Sequence, residues 1–290
     1  RDEKILAQYN NGRLKTIREK YIEQLEFQQF LTLGVLNEEK MNYTFVGRED
    51  LEKKIVALGF PKEKLHKYDE KSPGFFASLA KDRDEYLDYL QTAVLEVADE
   101  NNCVIVGRGS SVILNSVQNH FCFRVLASKN DRIQRLNELL QLDEKRAEKK
   151  LAVADKQKSG FYKSFFNCQV DDPTLYHAVI NTSAVDLDAA AEMIVTLVKA
   201  SITQKKEELG RLRLDEMLVC QRIVNMLILE YCLNINFLHA TARDGKVILH
   251  GVADSTAIVE RALTITQAEL PEYKVESAIN VVQDFKAYPQ

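Results

Sequence analysis

A glycine-flanked arginine, Arg108, has the position in this chain that most plainly suggests chemistry. It follows the apolar run 103–106 and stands between Gly107 and Gly109. Continuous apolar runs are typical of strands buried in parallel sheets, and open α/β sheets bind ligands at the carboxyl ends of such strands. A guanidinium group binds phosphate oxygens through two parallel hydrogen bonds. We therefore expect Arg108 to face an anionic ligand.

Other residue types that support chemistry give weaker signals. The five histidines are not spaced as a pair of metal ligands. The run 171–173, Asp-Asp-Pro, is explained more simply as a turn with a helix cap than as a metal site. The five cysteines are scattered without a CxxC pair, as expected for buried free thiols in a reducing compartment. The sequence thus predicts no protein-bound metal and a cytoplasmic location.

Strands alternate with helices through the middle of the chain. Besides 103–106, the apolar runs 121–126 and 178–181 are predicted strands. Helical spacing of apolar residues predicts helices over 83–100, 131–140, 144–154 and 189–201. This alternation indicates an α/β fold with a parallel sheet and helices on both faces.

The two ends of the chain have different patterns. Residues 3–29 are predicted to be helical, and the charged run 204–213 is predicted to be a linker. A helix over 214–233, a hairpin around Asp244-Gly245, a further helix and a last strand then predict a small α-β-β-α-β domain. The predicted division is a helical segment over 1–29, an α/β domain over 30–203 and a C-terminal domain over 214–290.

Composition limits the classes of partner. The 290 residues carry 39 basic and 43 acidic side chains, a net charge of −4, so the average surface gives no reason to expect nucleic acid. The most apolar stretch, 217–233, is interrupted by polar residues, whereas a membrane span needs about 20 mostly apolar ones. We therefore expect neither nucleic acid binding nor a membrane span.

Six segments resemble, in order, motifs of the cytidylate kinase-like family of nucleoside monophosphate kinases, which have a P-loop kinase fold. Each match is weak alone, but six in the right order are specific. The segments are 43–49 (YTFVGRE), 68–75 (YDEKSPGF), 102–109 (NCVIVGRG), 125–132 (VLASKNDR), 155–163 (DKQKSGFYK) and 176–183 (YHAVINTS).

The resemblance implies transfer of the γ-phosphate of ATP, with Mg²⁺, to a nucleoside monophosphate such as CMP. Phosphoryl transfer needs positioning and cancellation of negative charge, which arginine and lysine provide. The residues that the resemblance assigns to the acceptor monophosphate are Arg48, Gly107, Arg108 and Gly109. Those that it assigns to the lid over the transferring phosphate are Arg132, Lys156 and Lys158, of which Lys158 replaces an arginine of many relatives. For Arg48 and Arg132, a solvated helix face is the alternative.

The donor side departs from the family pattern. Residues 31–33 resemble the strand before the ATP phosphate loop, and 35–42 resemble the end of the helix after it, so only Gly34 remains between them. The chain contains neither G-x-x-x-x-G-K-[ST] nor the family's SREYGSGG, whose backbone N–H groups would hold the phosphates. Either the protein is a kinase-like binding or interaction module without a donor site, or a mobile loop is missing from this sequence. In the second case we expect a break in the chain between about 33 and 36.

The C-terminal block resembles a BON domain through 242–255 (ARDGKVILHGVADS) and 275–282 (VESAINVV). BON domains are associated with binding of phospholipid or small ligands in envelope proteins, but an interaction or dimerisation module is the interpretation we favour here. Alternate residues of the strand 247–252 are apolar on both sides except at His250. An exposed apolar sheet favours association. We therefore expect a homodimer, formed through this block or through the N-terminal helix.

Overall fold

The computed structural model describes residues 41–65 and 80–282. The predicted helix over 3–29, Gly34, the expected chain break and the segment 68–75 lie outside the described residues. The strands are β1 (Thr44–Val46), β2 (Cys103–Ile105), β3 (Phe123–Leu126), β4 (Ala178–Asn181), β5 (Ile235–Arg243), β6 (Lys246–Ala253) and β7 (Lys274–Val281). The helices are α1 (Arg48–Ala57), α2 (Lys62–Leu65), α3 (Ala80–Asp99), α4 (Ser110–Ile113), α5 (Lys129–Leu140), α6 (Glu144–Phe166), α7 (Leu187–Ser201), α8 (Gln204–Asn225) and α9 (Thr256–Glu269).

The fold is mixed α/β with parallel strand pairing, as predicted. Two compact units divide the chain, and their described parts are 41–45 with 121–199, and 46–65 with 80–120 and 200–282. The predicted boundaries of an α/β domain and a separate C-terminal domain stay a prediction. Within the part of the chain that the structure describes, no helix is both long and apolar enough to cross a membrane.

In the first unit, β3 and β4 pair in parallel, with Phe123 opposite Ala178. Helices α5 and α6 pack together around a small core of their own, made of Ile133, Leu136, Ala147 and Leu151. Helix α6 runs to Phe166, so the predicted end at 154 is wrong. Buried aromatic side chains at 161, 162 and 165 extend its inner face, and Asn167, in the left-handed conformation, ends it.

In the second unit, the predicted linker over 204–213 is wrong, because these residues form the first half of α8. Thr203 caps the helix by accepting a hydrogen bond from the Lys206 N–H at 3.3 Å. Charged side chains of 204–213 cover the solvent face of the helix, while Gly210 and Leu214 are buried. A charged run therefore marked an exposed helix face here and not a break in structure.

Helix α8 packs against α3, and hydrogen bonds join the two helices. Gln221 Nε2 donates to Asp88 Oδ1 at 3.4 Å, and Asn225 Nδ2 donates to Thr92 Oγ1 at 2.8 Å. At the other end of α8, Arg211 pairs with Asp99 at 2.8 Å. The C-terminal part of the chain is thus bonded to α3 along most of the length of α8.

The last three strands form one sheet in the order β5-β6-β7, with β5 antiparallel and β7 parallel to β6. Helices α8 and α9 both pack on one face, around the fully buried Val247 and Leu249. On the other face, the rings of His239 and His250 stack with centroids 4.7 Å apart, and Phe237 is 66% exposed. Homodimerisation through this block, and its likeness to a BON domain, stay predictions.

We predict that replacing Gly210 with alanine will destabilise the protein. An added Cβ would lie 2.0 Å from Asn119 Oδ1 and 2.9 Å from the Asn119 backbone nitrogen, and such overpacking typically costs about 1–3 kcal/mol. Thermal unfolding should show a lower midpoint for Gly210→Ala, while Leu212→Ala on the exposed face of α8 should have little effect. Alanine is otherwise the better helix former, so an unchanged or higher midpoint would contradict this packing.

We also predict a pH-dependent effect of Asp88→Asn. Burial raises the pKa of Asp88 to about 7, against the opposing hydrogen bond from Gln221. A raised pKa contributes stability that is present at low pH and lost as pH rises through about 7. The free energy of unfolding of Asp88→Asn minus that of wild type should therefore increase by on the order of 2 kcal/mol from pH 5 to pH 8.

Urea unfolding at both pH values measures this gain. The exposed carboxylate of Glu269, changed to glutamine, serves as the control. An equal difference between Asp88→Asn and wild type at the two pH values would mean that Asp88 does not titrate in this range.

Candidate functional site

Two copies of the tripeptide Val-Gly-Arg meet where β1 and β2 end. The Val106 N–H donates to the Val46 carbonyl at 3.0 Å, which brings the carboxyl ends of the two strands side by side. Each valine is followed by glycine and then by arginine, which places Arg48 and Arg108 two residues beyond the paired valines. The strand pairing therefore places both arginines at the carboxyl ends of the two strands.

Arg48 is the first residue of α1, and the local sequence fixes that start. The Asp50 carboxylate accepts a hydrogen bond from the Gly47 N–H at 3.2 Å, which satisfies a backbone donor at the beginning of the helix. Leu51 and Ile55 are fully buried on the inner face of α1, and this burial holds the helix in place. The Arg48 side chain itself is only 9% exposed.

Arg108 has an unusual backbone. Gly107, Arg108 and Gly109 have φ angles of 83°, 52° and 70°, so three successive residues are left-handed. For a residue with a Cβ atom this conformation costs about 1–2 kcal/mol, whereas glycine adopts it freely. The two glycines make the tight turn possible, and the strain at Arg108 is of the kind that functional sites hold. The Arg108 side chain is 3% exposed.

The two arginines converge on the carboxylate of Glu52. One oxygen, Glu52 Oε1, accepts from Arg48 Nε at 2.5 Å and from Arg108 Nη2 at 2.7 Å. Glu52 lies four residues after Arg48 and hence on the same face of α1. The two arginines therefore lie together, as a shared anion site requires, and their role in binding a phosphate stays a prediction.

The charges around Glu52 set its protonation state. Burial raises the pKa of the Glu52 carboxyl, but the two guanidinium groups lower it by charge and by hydrogen bonding, and the net pKa lies below its usual range. Glu52 is therefore ionised at neutral pH, and the group carries two positive charges on arginine and one negative charge on glutamate.

The predicted lid residues lie in the other unit. Arg132 on α5 binds Asp155 on α6 through two hydrogen bonds, of 3.1 Å from Nη1 and 2.6 Å from Nη2. Lys156 follows Asp155 directly and is exposed, and Lys158 is half-buried on the same helix. Arg132 is thus bonded to Asp155, the residue that directly precedes Lys156. The sequence reasoning did not single out this acidic residue.

Sequence reasoning missed Glu52 as well. The signal was present, because an acidic residue four positions after an arginine on a helix predicts an ion pair. The interpretation of 171–173 as a capped turn is confirmed, since Asp172 Oδ1 accepts from the Thr174 N–H at 2.9 Å at the start of a short 3-10 helix, Pro173–Leu175. Within residues 41–65 and 80–282, no cluster of three or more His, Cys, Asp or Glu side chains could hold a metal ion.

Comparison with known proteins yields a family match and two similar proteins. A sequence profile described as the cytidylate kinase-like family matches residues 32–184, more than half of the chain, a range that contains both arginines and the predicted lid. A cytidylate kinase of Methanocaldococcus jannaschii is 26% identical over 125 residues, which cover 42% of this chain and 68% of that protein. A crystal structure of an uncharacterized protein from Eubacterium ventriosum aligns at 20% identity and a TM-score of 0.47, over 58% of this chain and 90% of that one.

Proposed function

Because this chain belongs to the cytidylate kinase-like family, we propose that it transfers the γ-phosphate of ATP to a nucleoside monophosphate, with CMP as the first acceptor to test. The convergence of Arg48 and Arg108 on one oxygen atom carries this proposal. Phosphoryl transfer depends on positioning the reactants and on neutralising negative charge, and it asks little covalent chemistry of the protein. Two buried arginines at the ends of adjacent strands can position a phosphate and neutralise its charge.

In this proposal Arg48 and Arg108 bind the phosphate of the acceptor. Both donate to a single carboxylate oxygen of Glu52, which holds the two guanidinium groups side by side, and this proximity supports one phosphate group as their shared ligand. The left-handed turn at Gly107 and Gly109 would let the backbone approach the same phosphate closely, because neither residue has a side chain.

Arg132, Lys156 and Lys158 would neutralise charge on the transferring phosphate from the α5–α6 pair. The two hydrogen bonds from Arg132 to Asp155 support a role for Asp155 in orienting that guanidinium group. Mg²⁺, when bound, would neutralise phosphate charge, and it is commonly held by one or two carboxylates and the nucleotide phosphates. We assign no protein ligand to Mg²⁺.

A second function is favoured by the donor side of the sequence. Only Gly34 lies between the segments that resemble the strand and the helix around the ATP phosphate loop. A chain without that loop would bind a nucleoside monophosphate without phosphorylating it, and would act as a nucleotide-binding or interaction module.

We predict that Arg108→Ala will weaken CMP binding at least about thirtyfold, equivalent to about 2 kcal/mol, because charged hydrogen bonds contribute roughly 1.5–3 kcal/mol. Isothermal titration calorimetry with CMP measures the change. Arg243→Ala is the matched control, since that side chain is 88% exposed on the C-terminal sheet. Equal CMP affinity of wild type and Arg108→Ala would contradict the assigned acceptor site.

The same proteins, incubated with ATP, Mg²⁺ and CMP, separate the two functions. Formation of CDP by wild type and its loss in Arg108→Ala support the kinase. CMP binding that depends on Arg108 without CDP formation supports the binding module. No Arg108-dependent binding and no CDP would contradict both.

A further inference from the structure

Glu52 accepts hydrogen bonds from different guanidinium atoms of the two arginines. From Arg48 it accepts through Nε, on the side of the guanidinium group. From Arg108 it accepts through Nη2. A guanidinium group has five N–H donors in a fixed plane, so a carboxylate bound at Nε fixes the plane of the Arg48 group, whose outer edge consists of Nη1 and Nη2. Such an outer edge can make two parallel hydrogen bonds with a phosphate.

The position of Glu52 Oε1 is set by the helix. Leu51, the residue before Glu52, and Ile55, three residues after it, are fully buried, so the backbone of α1 cannot shift without disturbing the core. The length of the glutamate side chain then determines where its oxygen meets Arg48 and Arg108. One oxygen atom bound to both guanidinium groups holds them at a fixed separation and offsets the repulsion between their charges.

We propose that Glu52 is a positioning residue for the acceptor phosphate, whose Oε1 holds the guanidinium groups of Arg48 and Arg108 at the separation at which both donate to one phosphate group. The inference rests on the proposed function for the identity of the ligand, and on the distances to Oε1 for the geometry. Glu52 acts through the two arginines and does not itself contact the phosphate.

Two substitutions separate the effect of the Glu52 charge on anion binding from the effect of the position of its side-chain oxygen. Glu52→Gln removes a negative charge, which by Coulomb attraction alone strengthens anion binding, and it keeps both the side-chain length and an acceptor oxygen. Glu52→Asp keeps the charge but withdraws the oxygen by one methylene group. If position is what matters, aspartate is the damaging substitution and glutamine is the tolerated one.

The experiment measures binding of inorganic phosphate and of CMP to the full chain by calorimetry. We expect Glu52→Asp to weaken both by about tenfold, the loss expected when one charged hydrogen bond is broken. Glu52→Gln should bind within about threefold of wild type, or more tightly. Glu100→Asp makes the same chemical change at a carboxylate of the same unit that is 67% exposed, and it should bind both ligands as wild type does.

A double-mutant cycle distinguishes positioning from general destabilisation. Since Glu52 acts partly through Arg108, Glu52→Asp should weaken phosphate binding less in the Arg108→Ala background than in wild type, whereas a purely structural loss would add in full. Glu52→Asp binding phosphate within about twofold of wild type would overturn the proposal, as would additive effects or an about tenfold loss in Glu52→Gln.

Failure of the positioning role and failure of the proposed function give different binding results. If wild type binds phosphate but not CMP, and Glu52→Asp weakens phosphate binding, then the positioning role stands and the nucleotide acceptor is wrong. If wild type binds CMP through Arg108 and Glu52→Asp matches it, then the acceptor stands and the positioning role is wrong. If wild type binds neither ligand, both are wrong.

Discussion

The shared hydrogen bonding of Arg48 and Arg108 to Glu52 is the interaction on which the rest of the site depends. Burying a charged group is costly unless it is paired, and removing one partner from a buried ion pair leaves the other uncompensated. Here two nearly buried guanidinium groups meet one carboxylate. The strand pairing at Val46 and Val106 and the left-handed turn at Arg108 are the features that let these groups meet. The local fold therefore holds the three charged side chains together.

The support for Arg108 extends to the C-terminal part of the chain. The segment that follows the left-handed turn forms the short α4 and then reaches Ser116, whose hydroxyl accepts a hydrogen bond from Arg213 Nε on α8 at 3.1 Å. Gly210 on the same helix lies against Asn119 without room for a side chain. Helix α8 thus braces the segment that carries Arg108, as well as bonding to α3. The contacts of α8 therefore reach the segment that follows Arg108.

The sequence predicts the local parts of this arrangement well. The strands at 103–106 and 178–181 are recognisable because short, continuous apolar runs are typical of strands buried on both faces, and the glycines around Arg108 indicate a special turn. The pairing of Glu52 with Arg48 follows a local helix pattern, but its pairing with Arg108 does not, because Arg108 is 56 residues away and no local pattern says which distant segment an acidic residue on a helix will meet. The charged run 204–213 misled for a related reason: a solvated helix face and a linker have similar composition, and burial of Gly210 is a tertiary fact.

We propose that Arg48 and Arg108 together bind the phosphate of a nucleoside monophosphate. A crystal structure of the protein with CMP tests it most directly. We predict phosphate oxygens within about 3 Å of nitrogen atoms of both arginines, with Glu52 still bonded to the Nε of Arg48. CMP bound away from these residues, or held by one arginine while the other turns away from it, would contradict the claim.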